Sequence, residues 1–291
     1  MFVDILFHKK RFRLPERIAG ENGNLYTVQD QIASGGNAVV CECADESDGA
    51  EYAVKFLTNS SGDSRAERFE IERKLMEDLS TVRHSHLIGY VTSGCVKASF
   101  FDSKRNENKT TLPFVIMERA NCSLREFVKN ERTPIEFEIY AAQFRGLVSA
   151  LALLHQQAIH RDIKPDNILV VGERWVISDF GLCSLLDGCG GQDLTPGWQV
   201  PGPRFWMSPE GNNKAVGLPE EITCASDVFQ LAAVFWWVVN RRHPSGILAR
   251  EDWIGAESLY EPVSRGLQHS LGRRYSTADE FRLAVVHAIG Y

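Results

Sequence analysis

The period of the apolar residues changes once along this chain, and that change restricts the folds open to it. Between residues 26 and 117, short runs rich in apolar and β-branched residues carry the spacing of strands: Tyr26 to Ala33, Val39 to Cys43, Glu51 to Leu57, His86 to Thr92 and Leu112 to Met117. One charged amphipathic helix, from about Arg65 to Leu79, interrupts them. After Glu118 the spacing turns helical. Ser123 to Asn130 is a short segment, and Pro134 opens a longer one through His155, where a helix's first turn tolerates proline. Strands first and helices second predict an α+β chain of two lobes, joined near residues 118 to 122, with a ligand cleft between them. At 291 residues, 44% of them hydrophobic, there is material for one large core or two smaller ones.

A formal net charge of -6 argues against a nucleic-acid partner held by neutralising phosphates. Seven cysteines without a C-x-x-C pair build neither a zinc site nor a redox motif; reduced thiols fit this usage, and a cytoplasmic location is expected. The apolar start, Met1 to Phe7, is too short for a signal core and precedes the basic run Lys9 to Arg13, which reverses the usual charge order. Residues 1 to 24 therefore read as a solvated N-terminal extension. Val228 to Val239 is too short to cross a bilayer and reads as a buried helix, so no transmembrane segment is expected.

Two polar clusters follow apolar runs in the second half: His160-Arg-Asp-Ile-Lys-Pro-Asp-Asn167 and Val176-Ile-Ser-Asp-Phe-Gly181. With Lys55 upstream in Tyr52-Ala-Val-Lys-Phe-Leu57 and Ser208-Pro-Glu210 downstream, their order and spacing resemble the protein kinase superfamily, from about residue 25 to 285. The compact form is similar to the stand-alone kinases of bacteria and their phages and to eukaryotic ones alike. The resemblance implies a two-lobed kinase domain over 25–291, with an antiparallel sheet and one helix in an N-lobe, 25–118, and a mainly helical C-lobe, 119–291. It implies ATP and magnesium as cofactors and protein hydroxyls as substrates, with autophosphorylation expected.

Phosphoryl transfer needs alignment and charge neutralisation more than covalent chemistry from the protein. By resemblance, Asp162 orients the substrate hydroxyl and accepts its proton, Lys164 steadies the γ-phosphate, and Asn167 and Asp179 hold magnesium with hard oxygen ligands. Lys55 is aimed at the α- and β-phosphates, and Ala53 packs on the adenine. Glu67, Glu70 and Glu72 compete as the partner of Lys55. Glu72 is favoured because Met76 and Leu79 follow it at helical spacing, whereas Glu70 has Lys74 and Glu77 in those places.

The phosphate-cradling turn is Ile32-Ala33-Ser34-Gly35-Gly36-Asn37-Ala38-Val39-Val40, where Ala33 and Ala38 replace the first and third glycines of the family pattern. Alanine disfavours positive φ, so a stiffer loop and weaker ATP binding are expected. Met117 backs the adenine pocket, and backbone near Glu118 and Ala120 meets the adenine edge. The activation segment runs from Asp179 to Glu210. Arg161 is the type of residue that captures a phosphate there, or else pairs with a backbone carbonyl or an acidic neighbour, and Thr195 is the expected phosphorylation site.

Lys164-Pro165 is what serine/threonine kinases carry, whereas Pro203 and Trp206 resemble the tyrosine-kinase platform. Serine/threonine specificity is favoured, with tyrosine or dual specificity as the alternative. A pseudokinase scaffold is a further alternative, suggested by the two alanines. Asp227 is expected to hold the catalytic loop's backbone, with Gln230 and Ala232 departing from the usual Ser and Gly, and Arg274 to pair with Glu210.

Overall fold

A computed structural model of the protein describes residues 1–8, 10–58, 63–101, 106–186 and 205–290, with residues 63 and 64 described by backbone alone. They fall into two compact units, one of residues 1–83 and 88–120, the other of residues 84–87 and 121 onward.

The first unit is a sheet with one helix. Its strands are β1 (Phe2–Phe7), β2 (Lys10–Pro15), β3 (Arg17–Ala19), β4 (Leu25–Gly35), β5 (Ala38–Asp45) and β6 (Glu51–Leu57), then helix α1 (Asp63–Ser80), then β7 (Tyr90–Phe101) and β8 (Glu107–Glu118). They pair antiparallel in the order β1-β2-β7-β8-β6-β5-β4-β3.

Residues 1–24 are therefore no solvated extension, and their own alternation is the reason. In β1 and β2 every second side chain turns inward, so that Ile5, Phe7, Phe12 and Leu14 join the core with Tyr26, Val54, Phe56 and Phe114. The basic residues of the run take the other face, where Arg13 bonds Asp4 at 3.0 Å. Burying those four apolar residues is the driving force that holds the segment on the sheet.

A side chain ties the sheet's first strand to its fourth. Gln31, set at an irregularity in the β4 register, accepts from the Leu6 N–H at 2.7 Å and donates to the Leu6 carbonyl at 2.9 Å. Gln31→Ala removes both bonds from an exposed site and should lower unfolding free energy by about 1 kcal/mol. A shifted urea midpoint at unchanged m-value is the check, and an unmoved midpoint would refute the tie.

The second unit is mainly helical. It contains β9 (Cys122–Ser123), α2 (Leu124–Asn130), α3 (Phe137–Leu154), β10 (Ala158–Ile159), β11 (Ile168–Val171), β12 (Arg174–Ile177), β13 (Ser184–Leu185), α4 (Pro209–Ala215), α5 (Cys224–Asn240), α6 (Glu257–Gly266) and α7 (Ala278–Ile289). Helix α5 is buried over nearly its whole length, and Phe235 stacks on Phe144 of α3 with ring centroids 3.7 Å apart. By length and composition α3 is apolar enough to cross a membrane; here eight of its residues, Tyr140 to Leu154, pack into the unit's interior.

Three expectations shift. Helix α3 begins at Phe137 with extended Glu136 as its N-cap, so Pro134 stands outside it. The strand expected from His86 begins at Tyr90, while residues 84–87 join the second unit: Ile177 N–H donates to the His86 carbonyl at 2.9 Å, and His86 Nδ1 donates to the Trp175 carbonyl at 2.8 Å. Gly146 of α3 makes room for this ring, since a Cβ there would lie 2.1 Å from His86 Nε2. The first unit closes at Ala120 rather than at 118.

Candidate active site

The expected site residues form two sets, one in each unit. In the first, the β4–β5 hairpin turns at Gly36 and Asn37, with Gly35 opposite Ala38, Ser34 opposite Val39 and Ala33 opposite Val40. The Asn37 carbonyl accepts from the Thr58 N–H at 3.0 Å, which fixes the turn to the end of β6. None of Ala33, Gly35, Gly36 and Ala38 has positive φ. Alanine's aversion to that region therefore has nothing to act on here, and the stiffening expected from Ala33 and Ala38 loses its physical basis.

In β6, Lys55 pairs with Val40 and Val115, and buried Ala53 with Glu42 and Met117. Lys55 Nζ lies 2.6 Å from Glu72 Oε1, and both side chains are largely withdrawn from water. Helical spacing explains which glutamate is chosen. Glu72, Met76 and Leu79 share the buried face of α1, whereas Glu70 and Glu77 bind Arg73 on the outer face. At the end of β8, the Glu118 N–H donates to the Gly89 carbonyl at 2.8 Å, and Arg119 is ion-paired with Glu42 and Glu51. Ile32 is half exposed.

In the second unit, residues 160–167 connect β10 to β11, and residues 178–181 follow β12. Asp227, fully buried in the first turn of α5, accepts from the His160 and Arg161 N–H groups at 2.6 and 2.8 Å. Gln230, one helical turn on, accepts from the Ile163 N–H at 2.9 Å and donates to the Arg161 carbonyl at 3.3 Å. Its residue type departs from the family pattern, and its amide meets a donor and an acceptor of the loop at once, the oxygen accepting and the NH₂ donating. The backbone on both sides of Asp162 is thereby held from α5.

Asp162 is the centre of this set. Lys164 Nζ lies 3.0 and 2.8 Å from its two carboxylate oxygens, and Asn167 Nδ2 donates to its Oδ2 at 2.7 Å and its carbonyl at 2.9 Å. Burial raises the Asp162 pKa, with Lys164 opposing. The Ser178 N–H and hydroxyl each donate to the Asn167 carbonyl at 2.9 Å, and His160 Nε2 donates to the Ser178 carbonyl at 3.1 Å, which joins the loop to the turn bearing Asp179. Phe180 is buried against His160, and Asp179 is exposed.

Arg161 and Asp179 have φ of 67° and 62°, a left-handed conformation uncommon for such residues and concentrated at functional sites. The Arg161 guanidinium donates to Leu182 O at 2.7 Å and to Cys183 O at 3.5 Å. Thr195 and Pro203 lie outside the described residues. Beyond them, Glu210 is buried in α4 and bound by Arg274.

Asn167 and Asp179 offer an amide oxygen and a carboxylate, a donor set suited to a hard divalent cation that arrives with phosphate and water oxygens. Asn167 commits its Nδ2 to Asp162, which leaves the amide oxygen as its ligand atom, and the Asp179 charge is felt at Asp162. The residues fit magnesium.

The latch at Asp227 carries a pH dependence. His155 Nε2 donates to Asp227 Oδ2 at 2.9 Å; burial pushes the imidazole pKa down, and Asp227 together with Cys224 more than reverses this, lifting it to about 9. The folded state thus holds the proton to higher pH than the unfolded chain, which releases it near pH 6.5. The contribution is fully present below about 6.5 and is lost as pH rises through about 9. Urea unfolding across this range should show declining stability in the wild type and a flatter profile in His155→Gln. Parallel profiles would remove the histidine from the latch.

The sequence matches the Protein kinase domain family over residues 26–260. It is 36% identical over 144 residues to the human serine/threonine-protein kinase/endoribonuclease IRE2, covering 46% of this chain and 15% of that protein. It is 26% identical over 231 residues to the interferon-induced, double-stranded RNA-activated protein kinase of Rattus norvegicus, covering 72% and 42%. With the phosphorylase b kinase gamma catalytic chain, liver/testis isoform, of Mus musculus, it shares 29% identity over 181 residues, covering 60% and 43%. The chain thus spans less than half the length of these relatives. The family match covers most of the chain and includes every described residue of both sets, and on it this chain belongs to the protein kinase domain family.

Proposed function

We propose that the chain is an ATP- and magnesium-dependent protein kinase that transfers the γ-phosphate to serine or threonine hydroxyls, its own among them. The observation that carries this reading is the arrangement around Asp162, whose carboxylate is bound by Lys164 and Asn167 while Asp227 and Gln230 hold the loop on both sides. A carboxylate fixed in this way orients a hydroxyl and takes its proton as the oxygen attacks the γ-phosphorus. The bond to the β-phosphate oxygen breaks and its electron pair leaves with ADP, while Lys164 offsets charge on the transferred group. Lys55, held by Glu72, binds the α- and β-phosphates. Magnesium, where Asn167 and Asp179 would hold it, supplies charge neutralisation on the phosphates.

The scaffold alternative rests on Ala33 and Ala38; neither has positive φ, which speaks against a strained turn at these positions. Lys164 on both oxygens of Asp162 favours the serine/threonine assignment over tyrosine, because this lysine belongs to the loop that meets the nucleophile. The test is incubation with labelled ATP and magnesium, then phosphoamino-acid analysis of the protein and of a generic substrate. Labelled serine or threonine is expected. Label on tyrosine alone would overturn the specificity, and ATP binding without any transfer would overturn the enzyme.

A further inference from the structure

The second unit has a groove of about 420 Å³ whose lining is cationic. Arg125, Lys129, Arg132 and Arg241 line it with a single carboxylate, Glu131, and Trp237 forms part of its wall. On a chain of formal net charge -6, four cations gathered around one groove repel one another unless an anion lies among them.

The four cations are not equivalent. Arg125 belongs to the catalytic loop's surroundings: it lies 2.6 and 2.7 Å from the two oxygens of Asp166, its N–H donates to the Pro165 carbonyl at 3.0 Å, and its guanidinium sits over the Trp206 ring. Arg241, at the left-handed C-cap of α5, donates to the carbonyls of Val128 and Thr133 and so joins α5 to the end of α2. Among the described residues no carboxylate lies at ion-pair distance from it; burial lowers its pKa, and the charge of Glu131 opposes this. Lys129 and Arg132 are exposed and make no hydrogen bond or ion pair among the described residues.

We infer that this groove docks an acidic stretch of the protein substrate, carboxylate or phosphorylated side chains flanking the acceptor hydroxyl, through Lys129, Arg132 and Arg241. The inference rests on the kinase reading. Its observations are the guanidinium of Arg241, which has no ion-pair partner among the described residues, the two exposed cations beside it, and the direct attachment of the groove through Arg125 to Pro165 and Asp166, between Asp162 and Asn167. A chain that brings its hydroxyl to Asp162 has the groove beside the same loop. The volume suits small anionic side chains.

The test uses the full chain and its K129E/R132E variant with three peptides built around one serine, flanked by glutamate, by phosphoserine or by glutamine. Binding without nucleotide is read by fluorescence anisotropy, and transfer by labelled ATP. The anionic peptides should bind and react about tenfold better than the glutamine peptide, the worth of two or three exposed ion pairs. In the variant that gap should close while the rate on the glutamine peptide stays unchanged. Whichever anionic peptide gains more identifies carboxylate or phosphate as the recognised group. Equal behaviour of the three peptides in the wild type, a gap that survives in the variant, or a single-stranded oligonucleotide that binds more tightly than any peptide would overturn the docking site. Transfer to all three at one rate would sink the groove and keep the kinase. Anionic-peptide binding lost in the variant, with no transfer to any peptide, would keep the groove and sink the kinase.

Discussion

Replacing Asp162 with asparagine should lower phosphate transfer by about 10²–10⁴-fold and leave the protein folded. The exchange preserves shape and removes a charge that burial disfavours, so the fold has little to lose. Asparagine's oxygen, set at the Oδ2 position, can still accept from Lys164 and Asn167, but its NH₂ group then faces Lys164 Nζ, a donor, where the carboxylate offered Oδ1. What disappears is the proton acceptor for the attacking hydroxyl. The pH profile gives a second signature. Since burial raises the Asp162 pKa, the acid limb of kcat/KM in the wild type should lie above the position a free carboxylate near 3.9 would give, activity falling as pH drops and the group takes up a proton. The variant's residual rate should lack that limb. Transfer kinetics beside a thermal melt provide the check: a melt unchanged within a few degrees and a rate above a tenth of wild type would remove Asp162 from the chemistry.

Why some of this was legible in the sequence and some not follows from the range over which each interaction acts. The choice of Glu72 over Glu70 depends on three residues one or two helical turns apart, and that spacing is local. The residues within the catalytic loop, and those within the metal turn, each sit within a few positions of one another, so their order on the chain already reflects their arrangement. Partners distant in sequence were visible only through the family resemblance, as with Asp227 and His160, or not at all. Gln230 stood out merely as a departure from a pattern, and its two bonds to the loop needed the structure. The first 24 residues are a different case. Their signal was local and present, since Phe12 and Leu14 alternate with Arg11 and Arg13 at a strand's period, but reading the basic residues as one solvated run hid the apolar face between them. Pro134 misled in the opposite direction: proline is tolerated in a helix's first turn and equally in the loop before it, and only the cap at Glu136 separates the two.

Arg274→Ala should destabilise the protein by about 3–5 kcal/mol, because it leaves a carboxylate buried without its counter-charge. Glu210 and Arg274 are both almost wholly withdrawn from water, and the pair is bidentate at 2.8 and 3.1 Å. Burial raises the Glu210 pKa, and Arg274, with the Ser226 hydroxyl donating at 2.7 Å, more than reverses it, so the carboxylate remains charged. The guanidinium also serves the backbone, donating to Ala225 O at 2.9 Å, Gln268 O at 2.9 Å and His269 O at 3.2 Å. It thereby joins α4, the first turn of α5 and the segment before α7. The companion Glu210→Leu variant strands a guanidinium that keeps those three carbonyls, so it should lose less than Arg274→Ala. The double variant Glu210→Leu/Arg274→Met should be more stable than Arg274→Ala alone, since no lone charge remains, yet below wild type because the three carbonyls and the Ser226 hydroxyl lose their partner. Urea unfolding of the four proteins ranks these losses against one another. A loss under about 1 kcal/mol for Arg274→Ala would mean that water reaches Glu210, and the buried pair would then have no part in fixing α4.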